Sequence, residues 1–194
     1  MVKRKADISR KTGETDISVS INLDGDQDTE ISTSIPFMDH MLELLSRHSG
    51  IGLQVNAQGD TAVDFHHTIE DTGICLGQAL DKALGDKKGI QRFASVSVPM
   101  DECLAHVSLD ISGRSFLVYS ATETQEKVGT FDVNLIEEFF RAFVSTAKVN
   151  LHINVAYGTN AHHMIEAVFK GTALALRKAV RREGHRIPST KGVL

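Results

Sequence analysis

Residues 64–71 read DFHHTIED, and residues 160–166 read NAHHMIE. Each stretch carries two adjacent histidines, with a glutamate three places after the second. Aligned on these pairs, HSGIGLQVNAQGDTAVDFHHTIEDTGICLGQAL (48–80) matches TAKVNLHINVAYGTNAHHMIEAVFKGTALALRK (146–178), with two additional residues in the first copy. Further upstream, GETDISVSINLDG (13–25) is similar to MDECLAHVSLDISG (100–113). Self-similarity over this length marks a duplicated structural unit. The join falls near residues 87–91, KKGIQ.

The segments within each copy differ in period. TDISVSINLDG (15–25) places Ile17, Val19, Ile21 and Leu23 on one face and turns at Gly25, as a half-buried strand does. TEISTSI (29–35) reads as its hairpin partner. IGLQVNAQG (51–59), FASVSVPMD (93–101), ECLAHVSLDISG (102–113), SFLVYSA (115–121) and NLHINVAYG (150–158) alternate in the same way. Helical spacing runs through 36–50, bounded by Pro36 and Gly50, and through 67–86, 132–147 and 162–184. The order predicts an α+β fold, an internal duplication of a β-sheet plus two-helix unit with the two halves packed together. The first repeat is expected over 1–88, the second over 89–184, and a short C-terminal tail over 185–194.

Positions i and i+4 of a helix share a face. His66 and Glu70 are so spaced, and so are His162 and Glu166. Each pair offers one imidazole and one carboxylate to one ion. His67 and His163 are turned by about 100° from their neighbours at 3.6 residues per turn, so they reach toward a second ion. In the first predicted helix of each copy, His40 and Glu138 occupy matching places and are further candidate ligands. A shell of imidazole and carboxylate without thiolate suits Mn, Fe, Co, Ni or Zn, and octahedral Mn(II) where open positions are needed. The bland alternative is a set of satisfied histidines at helix starts. Two copies at equivalent places of a repeat argue against it. His48, His106, His152 and His185 read as a helix-end cap, two strand residues and a solvated tail residue.

Composition narrows the function class. A hydrophobic fraction of 41% supports a full core. A net charge of −4 without a basic stripe argues against nucleic acid. No run of 18 apolar residues is present, so no membrane span is expected. The charged start MVKRKADISRKTGE lacks the apolar centre of a secretory signal. Cys75 and Cys103 form no disulfide framework and read as reduced thiols of a cytoplasmic protein. Arg92 and Arg114 flank predicted central strands, and Ser189, Thr190 and Lys191 form a hydroxyl-rich basic tail; both suit a phosphate.

The segments FMDHML, DFHHTIEDTGICLGQAL, MDECLAHVSLDISGR, GTFDVNLIEEFFRAF, NAHHMIEAVFKGTALALR and PSTKGV, in order from about Arg4 to Leu194, resemble the imidazoleglycerol-phosphate dehydratase family of histidine biosynthesis, in its monofunctional form. The resemblance implies a duplicated unit of the ribosomal protein S5 domain 2-like kind. It implies a cytoplasmic homo-oligomer, a 24-subunit shell, with two Mn(II) ions per active site at subunit interfaces. One ion would take His40, His67, His162 and Glu166. The other would take His66, Glu70, His163 and position 138, where many members have histidine and this chain has Glu138. It further implies catalytic roles for Glu14, Asp101 and Lys170, and substrate or phosphate contacts from Arg92, Arg114, Ser189, Thr190 and Lys191. The implied reaction removes water from a phosphorylated imidazole substrate through a metal-stabilised imidazolate. The duplicated cluster by itself also admits a dinuclear metallohydrolase or a metal-storing shell protein that is not an enzyme.

Overall fold

The computed structural model describes residues 4–25, 29–121, 125–192 and 194. The first three residues of the charged N-terminal stretch, and Val193 of the tail, lie outside them. Two four-stranded sheets share one topology. The first comprises β1 (Lys5–Lys11), β2 (Thr15–Asn22), β3 (Glu30–Ser32) and β4 (Gly52–Gly59), ordered β1-β2-β4-β3. The second comprises β5 (Phe93–Met100), β6 (Cys103–Asp110), β7 (Phe116–Ser120) and β10 (Asn150–Tyr157), ordered β5-β6-β10-β7. Among the described residues, a small hairpin, β8 (Lys127–Val128) with β9 (Phe131–Asp132), is inserted in the second half only.

Each sheet buries one face because its strands alternate. In β2, Ile17, Val19 and Ile21 are buried while Asp16 and Ser18 are exposed. The helices lie against these buried faces: α1 (Pro36–Ser49), α2 (His66–Leu84), α3 (Leu135–Ala147) and α4 (Ala161–Ala179). Helix α2 packs on β1 and β2, and α4 packs on β5 and β6. The main helix–helix contacts cross between halves: α1 lies on α4, and α2 lies on α3. One core results. Leu45, Leu76, Phe143 and Leu176, one from each helix, line a common space with Ile21 and Leu53 of the first sheet.

Two expectations change. TEISTSI is not a hairpin partner of the preceding strand: β3 is three residues long and pairs in parallel with β4. The chain crosses over through α1 between them, the kind of connection that parallel neighbours require. Alternation identifies a strand but not its partner. The last helix stops at Ala179, not residue 184; beyond it Arg182 bridges to Ile90 and Glu183 donates its N–H to Gly89. Lys5–Lys11, an additional strand, alternates too weakly to be read from its residues.

The crossing of α2 on α3 depends on small residues. A Cβ on Gly73 would stand 2.6 Å from the Phe139 carbonyl oxygen, and one on Gly77 would collide with the Phe143 carbonyl and the Thr146 hydroxyl. Thr146 Oγ1 in turn donates to the Ile74 carbonyl at 2.9 Å. Gly73→Ala must push the helices apart. It is expected to destabilise by about 1–3 kcal/mol, the usual range for overpacking. Urea unfolding at matched protein concentration should show an earlier transition, whereas Gly184→Ala, which meets open space, should unfold as the parent does.

Candidate metal centre

The pairing of α1 with α4 brings His40 of the first half to the second HHxxE motif. His40 Nε2 lies 2.9 Å from Glu166 Oε1, and His162 Nε2 lies 3.2 Å from the same oxygen. The side-chain donor atoms of these three residues all lie within 4.8 Å of one another, the one such group of three among the described residues. Glu166 is buried, while both histidines are half-exposed. Lys170 Nζ donates to its other oxygen, Oε2, at 2.5 Å, and also approaches Met100 Sδ at 3.3 Å. Burial alone would raise the Glu166 pKa, but hydrogen bonds from Lys170, His40 and His162 pull it down to about 2. The carboxylate is therefore ionised and surrounded by donors. Two Nε2 atoms and a carboxylate oxygen are a donor set that fits a divalent transition metal.

Local sequence fixes these side chains. Asn160 precedes α4 and its Oδ1 accepts the His162 N–H at 2.9 Å, an N-cap. Two residues before α2 begins, Asp64 Oδ1 accepts the His66 N–H at 2.8 Å. Aromatic contacts join the two motifs. Phe65, next to His66, stacks on Phe131; Phe131 is 1% exposed and packs on Phe37, whose ring meets the His162 ring edge-on at 5.3 Å.

The other expected ligands are placed separately within the chain. His66 Nε2 is 3.6 Å from Glu70 Oε2. Glu138 lies on α3 beside Arg141 at 3.6 Å. His67 and His163 turn away from their neighbours, with ring planes at 89° and 80° to them. His67 Nδ1 lies 3.0 Å from Asp60 and 3.8 Å from Glu14. His163 Nδ1 lies 2.8 Å from Glu102 Oε2, and its Nε2 lies 3.8 Å from Asp101. Hydrogen bonds that the imidazoles donate to Asp60 and Glu102 hold the pKa of both rings above the usual histidine value. The Glu102 carboxyl is lowered to about 2 by His163 and by backbone N–H groups.

The basic candidates gather around the tail. Arg92, at a left-handed φ of 74°, pairs with Asp110 through Nε at 2.7 Å and donates Nη1 to the Pro188 carbonyl at 2.8 Å. Leu194 lies against Gly113, next to exposed Arg114. The segment holding Ser189, Thr190 and Lys191 thus lies between the Pro188 contact with Arg92 and the Leu194 contact with Gly113, and Lys191 N–H donates to Ser189 Oγ at 3.2 Å. His106 bonds Ser97, and His152 packs on Phe116. Cys75 and Cys103 are free and buried.

Two carboxylates at the site, Asp60 and Glu102, escaped the sequence reading. A signal for Glu102 was present: it precedes the second strand of its sheet just as Glu14 does. Asp60 lies in the part of the loop lengthened in the first copy, so the repeat offers it no counterpart.

The family model for imidazoleglycerol-phosphate dehydratase matches residues 33–176. The chain belongs to the imidazoleglycerol-phosphate dehydratase family. It is 56% identical to the imidazoleglycerol-phosphate dehydratase of Methylorubrum populi over 194 residues, covering 98% of this chain and all of the relative. It is 54% identical to that of Geobacter metallireducens over the full length of both. The crystal structure of the Staphylococcus aureus dehydratase superposes with a TM-score of 0.85 at 42% identity, covering 92% of this chain and 99% of that one. The Pyrococcus furiosus structure, a complex with (S)-C348, gives 0.84 at 37% identity, covering 96% and 100%. The family is one of hydro-lyases, and its sequence match spans both HHxxE motifs. No helix among the described residues is long and apolar enough to cross a membrane.

Arg92 anchors the tail, and this is open to test. Arg92→Met removes both the Asp110 pair and the Pro188 contact. Trypsin should then cut at Arg186 and Lys191 faster than in the parent chain, with the rest of the protein still resistant.

Proposed function

We propose that this protein is a Mn(II)-dependent hydro-lyase of histidine biosynthesis. It dehydrates D-erythro-imidazole glycerol phosphate to imidazole acetol phosphate and water. The observation that carries the reading is the crossed cluster of His40, His162 and Glu166 in a chain of this family. The cluster supplies three ligands. His67 and His163, whose Nε2 atoms are turned elsewhere, are available to ions held by other copies of the chain. This supports an obligate homo-oligomer, in our reading the 24-subunit shell, with sites shared between subunits. A cytoplasmic location follows from the pathway. The division into repeats 1–88 and 89–184 with a tail at 185–194 assigns one HHxxE motif to each repeat and the phosphate grip to the tail.

In this reading two Mn(II) ions are held by His40, His67, His162 and Glu166, and by His66, Glu70, His163 and Glu138. Bound there, they supply Lewis-acid charge to the substrate's imidazole ring. The chain's own groups do the rest. Arg92, Arg114, Ser189, Thr190 and Lys191 hold the phosphate away from the ions, where forked and point-charge donors suit its oxygens. Glu14, with Asp101 beside the same edge of its own half, carries protons. One carbon–hydrogen bond of the glycerol chain breaks, the neighbouring hydroxyl leaves with a proton as water, and the resulting enol rearranges to the ketone. Lys170 holds the Glu166 carboxylate ionised and adjusts the charge at the site.

The deciding experiment is turnover of imidazole glycerol phosphate by chelator-stripped protein before and after adding Mn(II). Activity restored by the ion is expected. A folded, metal-loaded assembly with no turnover, but with hydrolysis of simple phosphate esters, would replace this reading by the dinuclear hydrolase.

A further inference from the structure

The two halves solve one problem with different residues. His67 and His163 each present Nδ1 to a carboxylate, at 3.0 Å from Asp60 and 2.8 Å from Glu102. An ionised carboxylate has no proton to give and only accepts. Nδ1 must therefore carry the hydrogen, and in the neutral ring Nε2 is left with its lone pair outward. A metal-binding imidazole needs that state, and an oriented carboxylate behind the ring is the usual way to secure it.

Glu102 is placed by a tight turn. Strands β5 and β6 pair Met100 with Cys103, so Asp101 and Glu102 alone make the connection, with Asp101 at a φ of 46°. Glu102 Oε1 accepts the N–H groups of Thr159 at 3.2 Å and Asn160 at 2.8 Å, which fixes it to the loop that begins α4. Its Oε2 is then aimed at His163. In the first half the equivalent turn carries Glu14, but there the bond runs the other way: Asp60 donates its backbone N–H to the Glu14 carbonyl at 3.1 Å, and the Asp60 side chain takes the histidine. Glu14 stays 3.8 Å from His67, with its side chain 58% exposed.

We infer that Asp60 and Glu102 are positioning residues which set the Nδ1–H tautomers of His67 and His163 and aim their Nε2 atoms at metal, and that Asp60, by taking this post in the first half, releases Glu14 for proton transfer to and from substrate. The inference rests on the proposed ligand roles of His67 and His163. It explains why turn glutamates at matching places in the repeat serve different ends. Glu102 is engaged by four donors, the N–H and hydroxyl of Thr159, the Asn160 N–H and His163 Nδ1, and has no freedom to move a proton, whereas Glu14 is exposed at the rim.

The test is titration of the chelator-stripped full chain with Mn(II), comparing the parent with Glu102→Ala, Glu102→Gln, Asp60→Asn and His163→Ala. Loss of an orienting partner of this kind weakens metal binding by about 10–100-fold. Glu102→Ala is expected to do so for the ions that depend on His163, with His163→Ala weakening binding at least as much. Glu102→Gln has one acceptor oxygen to divide between the backbone N–H groups of Thr159 and Asn160 and His163 Nδ1, so it should recover only part of the affinity, whereas Asp60→Asn, whose amide oxygen can still accept from His67 Nδ1, should keep most of it; circular dichroism checks that each variant is folded. Weak binding in His163→Ala with parental affinity in both Glu102 variants would overturn the positioning role and leave the ligand assignment standing. Parental affinity in His163→Ala would overturn the ligand assignment and the inference with it. A loss in Asp60→Asn as large as that in Glu102→Ala would also count against the inference, since an acceptor behind the ring would then not be what matters.

Discussion

The helices of this protein pack across its duplication, and the rest of the structure follows from that crossing. Had each half packed its two helices on one another, His40 would face its own motif. Instead α1 lies on α4, and the imidazole of the first half meets the carboxylate of the second at 2.9 Å. The crossing has a steric origin on the α2–α3 side, where Gly73 and Gly77 let backbones touch and Phe139 and Phe143 fill the flanks. Phe131 and Phe37 then connect one motif to the other through packed rings. Interiors of this density transmit position well, so both motifs are held at the edge of one rigid core.

Electrostatics favour a cation at that edge. Glu166 is buried, yet ionised, because Lys170 and two imidazoles share its oxygens. A buried carboxylate without partners would cost several kcal/mol. Here the ammonium of Lys170 supplies part of the positive charge that a divalent ion would also supply. The two second-position histidines likewise have ionised carboxylates at their backs, Asp60 behind His67 and Glu102 behind His163.

Much of this was legible in the residues. The doubled HHxxE motif, four helical stretches and most strands stand in the sequence because period and repeat are local properties, and i, i+4 spacing places His162 over Glu166 without any knowledge of the fold. Partnership was less legible. The parallel pairing of β3 with β4 depends on a crossover through α1, and three residues carry too little pattern to announce it. The contact of His40 with Glu166 joins residues 126 apart, and only the helix crossing decides it. Asp60 had no signal in the sequence, and Glu102 had only its match to Glu14 in the repeat, because a carboxylate in a turn usually faces water; what singles them out is the ring nitrogen that each meets. Arg92 carries a similar lesson: its fork suits phosphate, and the fold also uses it to hold Pro188 and so to deliver the tail.

The most direct test of the account is anomalous diffraction at the manganese absorption edge from crystals of the Mn(II)-loaded protein. The account predicts a strong peak between His40 Nε2, His162 Nε2 and the Glu166 carboxylate of one chain, with an imidazole of a neighbouring copy completing the shell. A loaded, active crystal with no peak between these three side chains would contradict it.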